Sequence, residues 1–141
     1  MSSLQQIVLN PIGIVKTDAI GNEVKDKAPE LVDALDGVEG FSHVFVLFWL
    51  NEVASQPRAL KFHPRGRKDV PLLGVFALRT NQRPNPIGLT LVELLKVEGN
   101  TLTVRGLDAY DGTPVLDIKP FDTWDCVKNA RVPEWWIKLN Q

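Results

Sequence analysis

Apolar residues in this chain come in short runs instead of long helical stripes. The longest is Val44, Phe45, Val46, Leu47, Phe48, Trp49 and Leu50. It predicts a strand over residues 41–50 that is covered on both faces. The clearest element is a hairpin made of residues 91–98, the pair Gly99-Asn100, and residues 101–107. In its second arm Thr101, Thr103 and Arg105 alternate with Leu102, Val104 and Gly106, giving one polar and one apolar face. Gly-Asn supplies the positive φ that a tight hairpin needs.

Weaker signals fill in the rest. Residues 7–15 are β-branched with Pro11 and Gly13 inside, which predicts an early, bulged strand. Residues 73–78 predict another strand, and residues 115–118 a last short one. Residues 18–35 are charged and weakly patterned, so a loop is expected there, with a helical turn near Pro29. Pro133-Glu134-Trp135-Trp136 predicts a short helix with proline at its first position. Residues 51–72, with Pro57, Pro64, Pro71 and Gly66, read as a loop. A structureless segment of about twenty residues is long for a connection and points to function. Short strands with little helix between them give a mostly-β class. The expected architecture is a small single-domain β-barrel over residues 1–141, with short helical or irregular additions, including the tail 121–141.

Composition narrows the setting. A chain of 141 residues, 44% hydrophobic and 23% charged, has the size and balance of one ordinary globular domain. Cys126 is the single cysteine, so no internal disulfide forms and a reducing compartment is expected. With only His43 and His63 beside that thiol, no metal site is expected. Residues 1–6 are polar, no signal-peptide core follows, and the longest apolar run is far shorter than the ~20 residues that span a bilayer. A cytoplasmic protein without membrane contact is the expectation.

Net charge is −1, which by itself argues against nucleic-acid binding. The distribution argues the other way: Arg58, Lys61, Arg65, Arg67 and Lys68 lie within eleven residues with no acid among them. Phosphate contact is local, so such a patch suits a polyanion, while a merely solvated basic loop fits the same pattern.

Several familiar chemistries are missing. The chain has no G-x-G-x-x-G, no P-loop, no G-x-S-x-G and no C-x-x-C. Two constellations remain. In the first, residues 79–88, Pro84 and Pro86 stiffen a loop that carries Arg79, Thr80, Asn81, Arg83 and Asn85. Guanidiniums and amides on a rigid loop suit carboxylates, phosphates or base edges; a sharp corner whose arginines pair with local acids fits as well. In the second, Asp108 and Asp111 flank the Asp111-Gly112 turn signal, and Asp117 alternates with Leu116 and Ile118. Carboxylates there can accept from hydroxyls or amines, or simply cap the turn. His43, opening an apolar strand, reads first as a structural histidine.

Four strings together resemble one family: residues 36–43 (DGVEGFSH), residues 74–79 (GVFALR), residues 83–88 (RPNPIG) and residues 111–120 (DGTPVLDIKP). Their order and spacing identify the chain as similar to the TrmO, TsaA-like or VirR, proteins over about residues 7–121. The resemblance implies a homodimeric β-barrel methyltransferase that uses S-adenosylmethionine. Family members methylate N6 of threonylcarbamoyladenosine, beside the anticodon of tRNA. It further implies a cofactor pocket from Leu50, Asn51, Arg79, Leu89, Asp111, Gly112, Thr113 and Pro114. Asp111 and Asp108 are the candidates for removing the N6 proton, and Arg83 or Arg79 for holding the substrate carboxylate. Arg65, Arg67 and Lys68 would contact tRNA phosphates in the anticodon arm, with Asn85 near the substrate. Trp124, Trp135 and Trp136 are the expected dimer anchors. Two departures stand out. Many members carry a P-R-Q string where residues 18–29 read DAIGNEVKDKAP, and Asn51 stands where histidine is usual. A same-fold methyltransferase with another substrate and a non-catalytic RNA-binding barrel therefore stay open as alternatives.

Overall fold

The computed structural model describes residues 5–17, 22–26, 29–52 and 59–141, with only the backbone of residues 22, 23, 25, 26, 29 and 30. Two compact units make up the chain. Residues 1–49 and 88–121 form one; residues 50–87 and 122–141 form the other.

The first unit is the expected barrel. Its strands are β1 (Gly13–Thr17), β2 (Asn22–Asp26), β3 (His43–Trp49), β6 (Ile87–Glu98), β7 (Thr101–Arg105) and β8 (Pro114–Pro120). They close in the order β1-β2-β7-β6-β3-β8, and the β1–β8 seam is short, pairing Gly13 with Val115 and Ile14 with Pro114. Two backbone bonds fix how β3 and β6 run: Leu94 N–H donates to Ser42 O at 2.8 Å, and Leu50 N–H to Pro86 O at 2.7 Å. These are antiparallel partners in one unbroken register, which sets Phe48 opposite Gly88.

The core follows from alternation. Val15 pairs with Val24, and Val24 with Leu102; all three are fully buried, as are Val44, Val46, Val104 and Val115. β-branched residues hold one rotamer and fill the inner face of a small barrel. The run 44–50 turns out to be one-sided. Val44, Val46 and Phe48 point inward, while His43, Phe45, Leu47 and Trp49 are only half-buried. The hairpin is as expected: Glu98 pairs with Thr101 across Gly99-Asn100, and φ is +57° at Gly99. A positive φ at the first loop residue alone makes it a type II′ turn. β6 starts earlier than the pattern suggests, at Ile87, and carries a bulge between Leu94 and Lys96.

Three sequence expectations are corrected. Residues 7–15 yield a strand only from Gly13; Ile7, Val8 and Leu9 are exposed. Pro11 has no N–H to give a ladder. The charged segment 18–35 hides β2, whose one apolar residue, Val24, is buried between two strands; residues 18–21 and 27–28 lie outside the described residues. The turn near Pro29 is a 3-10 helix over Pro29–Leu35. Residues 73–78 give only β5 (Leu73–Gly74), paired with β4 (Lys61–Phe62), followed by a 3-10 helix over Val75–Ala77. Val75 and Leu78 are buried while Phe76 is exposed. A three-residue spacing is the 3-10 period, not that of a strand.

In the second unit the basic loop is built on Pro64–Gly66, a 3-10 turn. The tail carries a one-turn helix at Thr123–Asp125 and α1 (Glu134–Leu139), with Pro133 just before its first residue. No helix among the described residues is long and apolar enough to cross a membrane.

Candidate functional site

The Asp111-Gly112 signal is a type II turn. Thr113 N–H donates to Tyr110 O at 3.1 Å, and φ is +84° at Gly112. The turn is stitched to the end of β1. Gly112 N–H donates to Val15 O at 2.7 Å, Val15 N–H to Thr113 O at 2.9 Å, and Thr17 N–H to Asp111 Oδ1 at 3.0 Å. The register that pairs Gly13 with Val115 would place Thr17 opposite Asp111. Because Gly112 turns the main chain away, the Asp111 side chain supplies the acceptor that the ladder needs next. Asp111 and Asp108 are exposed, whereas Thr113 is buried at 3% exposure. Thr113 and Pro114 thus hold the turn, and Asp111 presents a carboxyl at its tip.

Further along the same motif, Asp117 Oδ1 accepts from Ile118 N–H at 2.9 Å, and Lys119 Nζ lies 3.0 Å from Asp117 Oδ2. This local pair sits where the β3–β8 register shifts between Leu47 and Phe48. The string DIKP is therefore explained by strand architecture. Leu89, on β6, is 46% exposed despite being apolar. His43 behaves as a structural residue: Ser42 Oγ lies 2.7 Å from its Nδ1, and its ring meets Phe121 edge-on.

Leu50, Asn51, Arg79, Arg83 and Asn85 belong to the second unit. Arg83 is half-buried, and its Nη1 donates to Leu78 O at 2.8 Å and Thr80 O at 3.3 Å. The guanidinium thereby ties off the loop that Arg79 and Asn81 ride on, a structural task that sequence did not reveal. Ile87 N–H donates to Asn85 O at 2.7 Å around the buried Pro86, a γ-turn that leads straight into β6. Arg79 and Asn85 are exposed.

The basic loop has protein partners. Arg65 Nη1 donates to Leu139 O at 2.9 Å and Nη2 to Asn140 Oδ1 at 3.1 Å. Arg67 forks onto Asp69, Nε to Oδ1 at 3.1 Å and Nη2 to Oδ2 at 2.7 Å, while Nη1 reaches Lys138 O at 3.4 Å. The hydrogen bond and charge of Arg67 outweigh desolvation and hold the Asp69 carboxyl down to about 2. Lys138 adds to this, its Nζ 3.5 Å from Asp69 Oδ2. Asp69 is the residue that sequence reading passed over: it stands one position beyond the acid-free stretch. Lys68 is exposed; Arg58 lies outside the described residues. Among the described residues no group of three His, Cys, Asp or Glu side chains is placed to hold a metal ion.

Comparison with known proteins agrees with the barrel. The chain belongs to the tRNA-methyltransferase O N-terminal domain family, whose model matches residues 11–126. It is 42% identical over 135 residues to an S-adenosyl-L-methionine-binding protein of Archaeoglobus fulgidus, covering 86% of this chain and 94% of the relative. It is 43% identical over 129 residues to a Methanothermobacter thermautotrophicus protein named as a probable S-adenosyl-L-methionine-binding protein, covering 82% of this chain and 90% of the relative. Among solved structures, TrmO from Pseudomonas aeruginosa superposes with a TM-score of 0.71 at 34% identity, covering 92% of this chain. The chain spans 62% of that TrmO chain.

Proposed function

We propose that this protein is an S-adenosylmethionine-dependent methyltransferase acting on N6 of threonylcarbamoyladenosine next to the tRNA anticodon. Its membership of the tRNA-methyltransferase O N-terminal domain family, over residues 11–126 that include all four motif strings, carries the reading. The relatives named for S-adenosyl-L-methionine binding support the cofactor. The proposal takes the whole chain as one functional domain of a cytoplasmic homodimer.

The side chains present fit that cofactor chemically. Arg79 offers an exposed guanidinium for its carboxylate, Asp111 an exposed carboxyl for ribose hydroxyls or its ammonium, and Leu89 an exposed apolar surface for adenine. The family resemblance assigns Leu50, Asn51, Gly112, Thr113 and Pro114 to the same cofactor. When bound, S-adenosylmethionine supplies a methyl group already activated by its sulfonium. The protein's work is then alignment and proton removal. N6 of the modified base is a weak nucleophile, conjugated to the ring and to a carbonyl. Asp111, or Asp108 near it in sequence, is the proposed acceptor of its proton. Arg83 keeps its loop in place through Nη1, and the substrate carboxylate falls to Arg79 or to the other nitrogens of Arg83. Lys68, Arg65 and Arg67 are assigned to phosphates, and Asn85 to the substrate.

The test is nucleoside mass spectrometry of tRNA incubated with the protein and isotopically labelled cofactor. The label should appear on threonylcarbamoyladenosine. Label on another nucleoside points to a different substrate, in keeping with Asn51 and the absent P-R-Q string. RNA binding with no label on any nucleoside points to a non-catalytic barrel.

A further inference from the structure

Arg65 and Arg67, two of the three loop cations assigned to RNA phosphates, are already engaged by the last turn of α1 and the residue after it. Arg65 spans the Leu139 carbonyl and the Asn140 side chain, and Arg67 reaches the Lys138 and Leu139 carbonyls while forked onto Asp69. Lys138 returns the contact to the loop, its Nζ donating to Asp69 O at 3.2 Å. Carbonyls at a helix C-terminus carry the partial negative charge of the helix dipole, and they take these guanidiniums much as phosphate oxygens would.

The loop itself is held in an unfavourable shape. Gly66 N–H donates to His63 O at 3.0 Å and Arg67 N–H to Pro64 O at 2.9 Å. These two turns require positive φ at Arg65 (+54°) as well as Gly66 (+69°). The left-handed region is natural for glycine and strained for arginine, so it persists only where surrounding contacts enforce it. The helix against it is short: it has six residues, its sole buried residue is Leu139, and apart from the part-buried bonds to the Leu139 carbonyl its ties to the loop are exposed polar contacts. Such pairs each contribute little and are easily exchanged for another anion.

We propose that the C-terminal helix competes with RNA for Arg65 and Arg67: docked, it occupies the Arg65 guanidinium and the Nη1 of Arg67 that the Asp69 fork leaves over, and an RNA phosphate backbone displaces it. The inference rests on the reading of this loop as the RNA-binding segment. It makes the helix an internal mimic of the phosphate ligand, so that docking and RNA binding oppose each other. By linkage, the factor by which undocking strengthens RNA binding equals the factor by which RNA weakens docking.

The experiment uses the full chain and an anticodon stem-loop RNA. Leu139→Ala and Asn140→Ala loosen the helix without changing any charge; the second is an exposed position, which guards against misfolding of the first. Each should bind the RNA roughly fivefold or more tightly than the unaltered protein, and adding Arg65→Ala with Arg67→Ala should abolish the gain. In the unaltered protein, RNA should speed hydrogen exchange at the amides of residues 137–141. Unchanged or weaker binding in both single variants, or slower exchange with RNA bound, overturns the competition. The enzyme reading fails separately: labelled cofactor leaves tRNA unmodified while the RNA-binding differences persist.

Discussion

Asp111 closes the end of β1 with its side chain, accepting Thr17 N–H at 3.0 Å where a main-chain carbonyl would otherwise be needed. The same carboxyl is the candidate base, so its structural and chemical roles must be separated. Asparagine keeps an oxygen acceptor and loses the basicity. Asp111→Asn should therefore melt within a few degrees of the unaltered protein yet lose about 10²- to 10⁴-fold in methyl transfer. Asp111→Ala should lose about 0.5–1.5 kcal/mol of stability as well, since it removes the acceptor of an exposed hydrogen bond from Thr17 N–H. Single-turnover methylation beside thermal melts separates the two. An Asp111→Asn protein with full activity would confine this residue to architecture.

Arg79 and Arg83, four residues apart, are tested separately. Arg79→Ala should weaken cofactor binding by about ten- to a hundredfold, the worth of a charge-assisted hydrogen bond. Arg83→Ala removes the donor to the Leu78 and Thr80 carbonyls, so it should lower stability as well as activity. Titration calorimetry on both variants checks this; equal cofactor affinity with and without Arg79 removes it from the pocket.

Gly88 lies against Phe48, and a Cβ at that position would overlap the ring. Gly88→Ala should cost about 1–3 kcal/mol by overpacking. Trimming the obstacle with Phe48→Leu should recover part of that loss, and a denaturant double-mutant cycle measures the coupling. Purely additive losses would show that the glycine is needed for something other than room.

Acid should loosen the loop–helix contact at a defined point. The Arg67 hydrogen bond, with Arg67 and Lys138 charge behind it, lowers the Asp69 pKa from 3.8 to about 2. A carboxyl with a depressed folded-state pKa contributes stability that is complete above its unfolded value and lost as pH falls through the folded one. Fluorescence of Trp135 and Trp136, both on α1, should report a transition between those values. Asp69→Asn should remove it. A transition that survives in the variant belongs to another group.

Assembly is open to direct measurement. Trp124 is 90% exposed on a one-turn helix pinned by reciprocal Asp122 and Asp125 bonds. Trp135 and Trp136 are half-buried and contact each other edge-on. A tryptophan held rigidly in solvent is a suitable interface anchor. Sedimentation should show a dimer at tens of micromolar, weakened by Trp124→Ala. A monomer at that concentration removes the homodimer from the proposal.

Local signals were enough for the elements whose partners lie next to them in sequence. The 98–101 hairpin turn, the alternation of Leu102 and Val104, the Asp111-Gly112 turn and the motif strings of the family could all be read directly, because turn chemistry and two-residue periodicity are short-range. Only tertiary structure decided the rest. β2 has a single apolar residue, and Val24 has meaning only between Val15 and Leu102. Gly88 has meaning only across from Phe48. Arg65 and Arg67 read as free cations in sequence because the carbonyls that receive them are about seventy residues away. A charge run specifies where positive charge sits along the chain; which groups neutralise it is settled by what the fold packs against it.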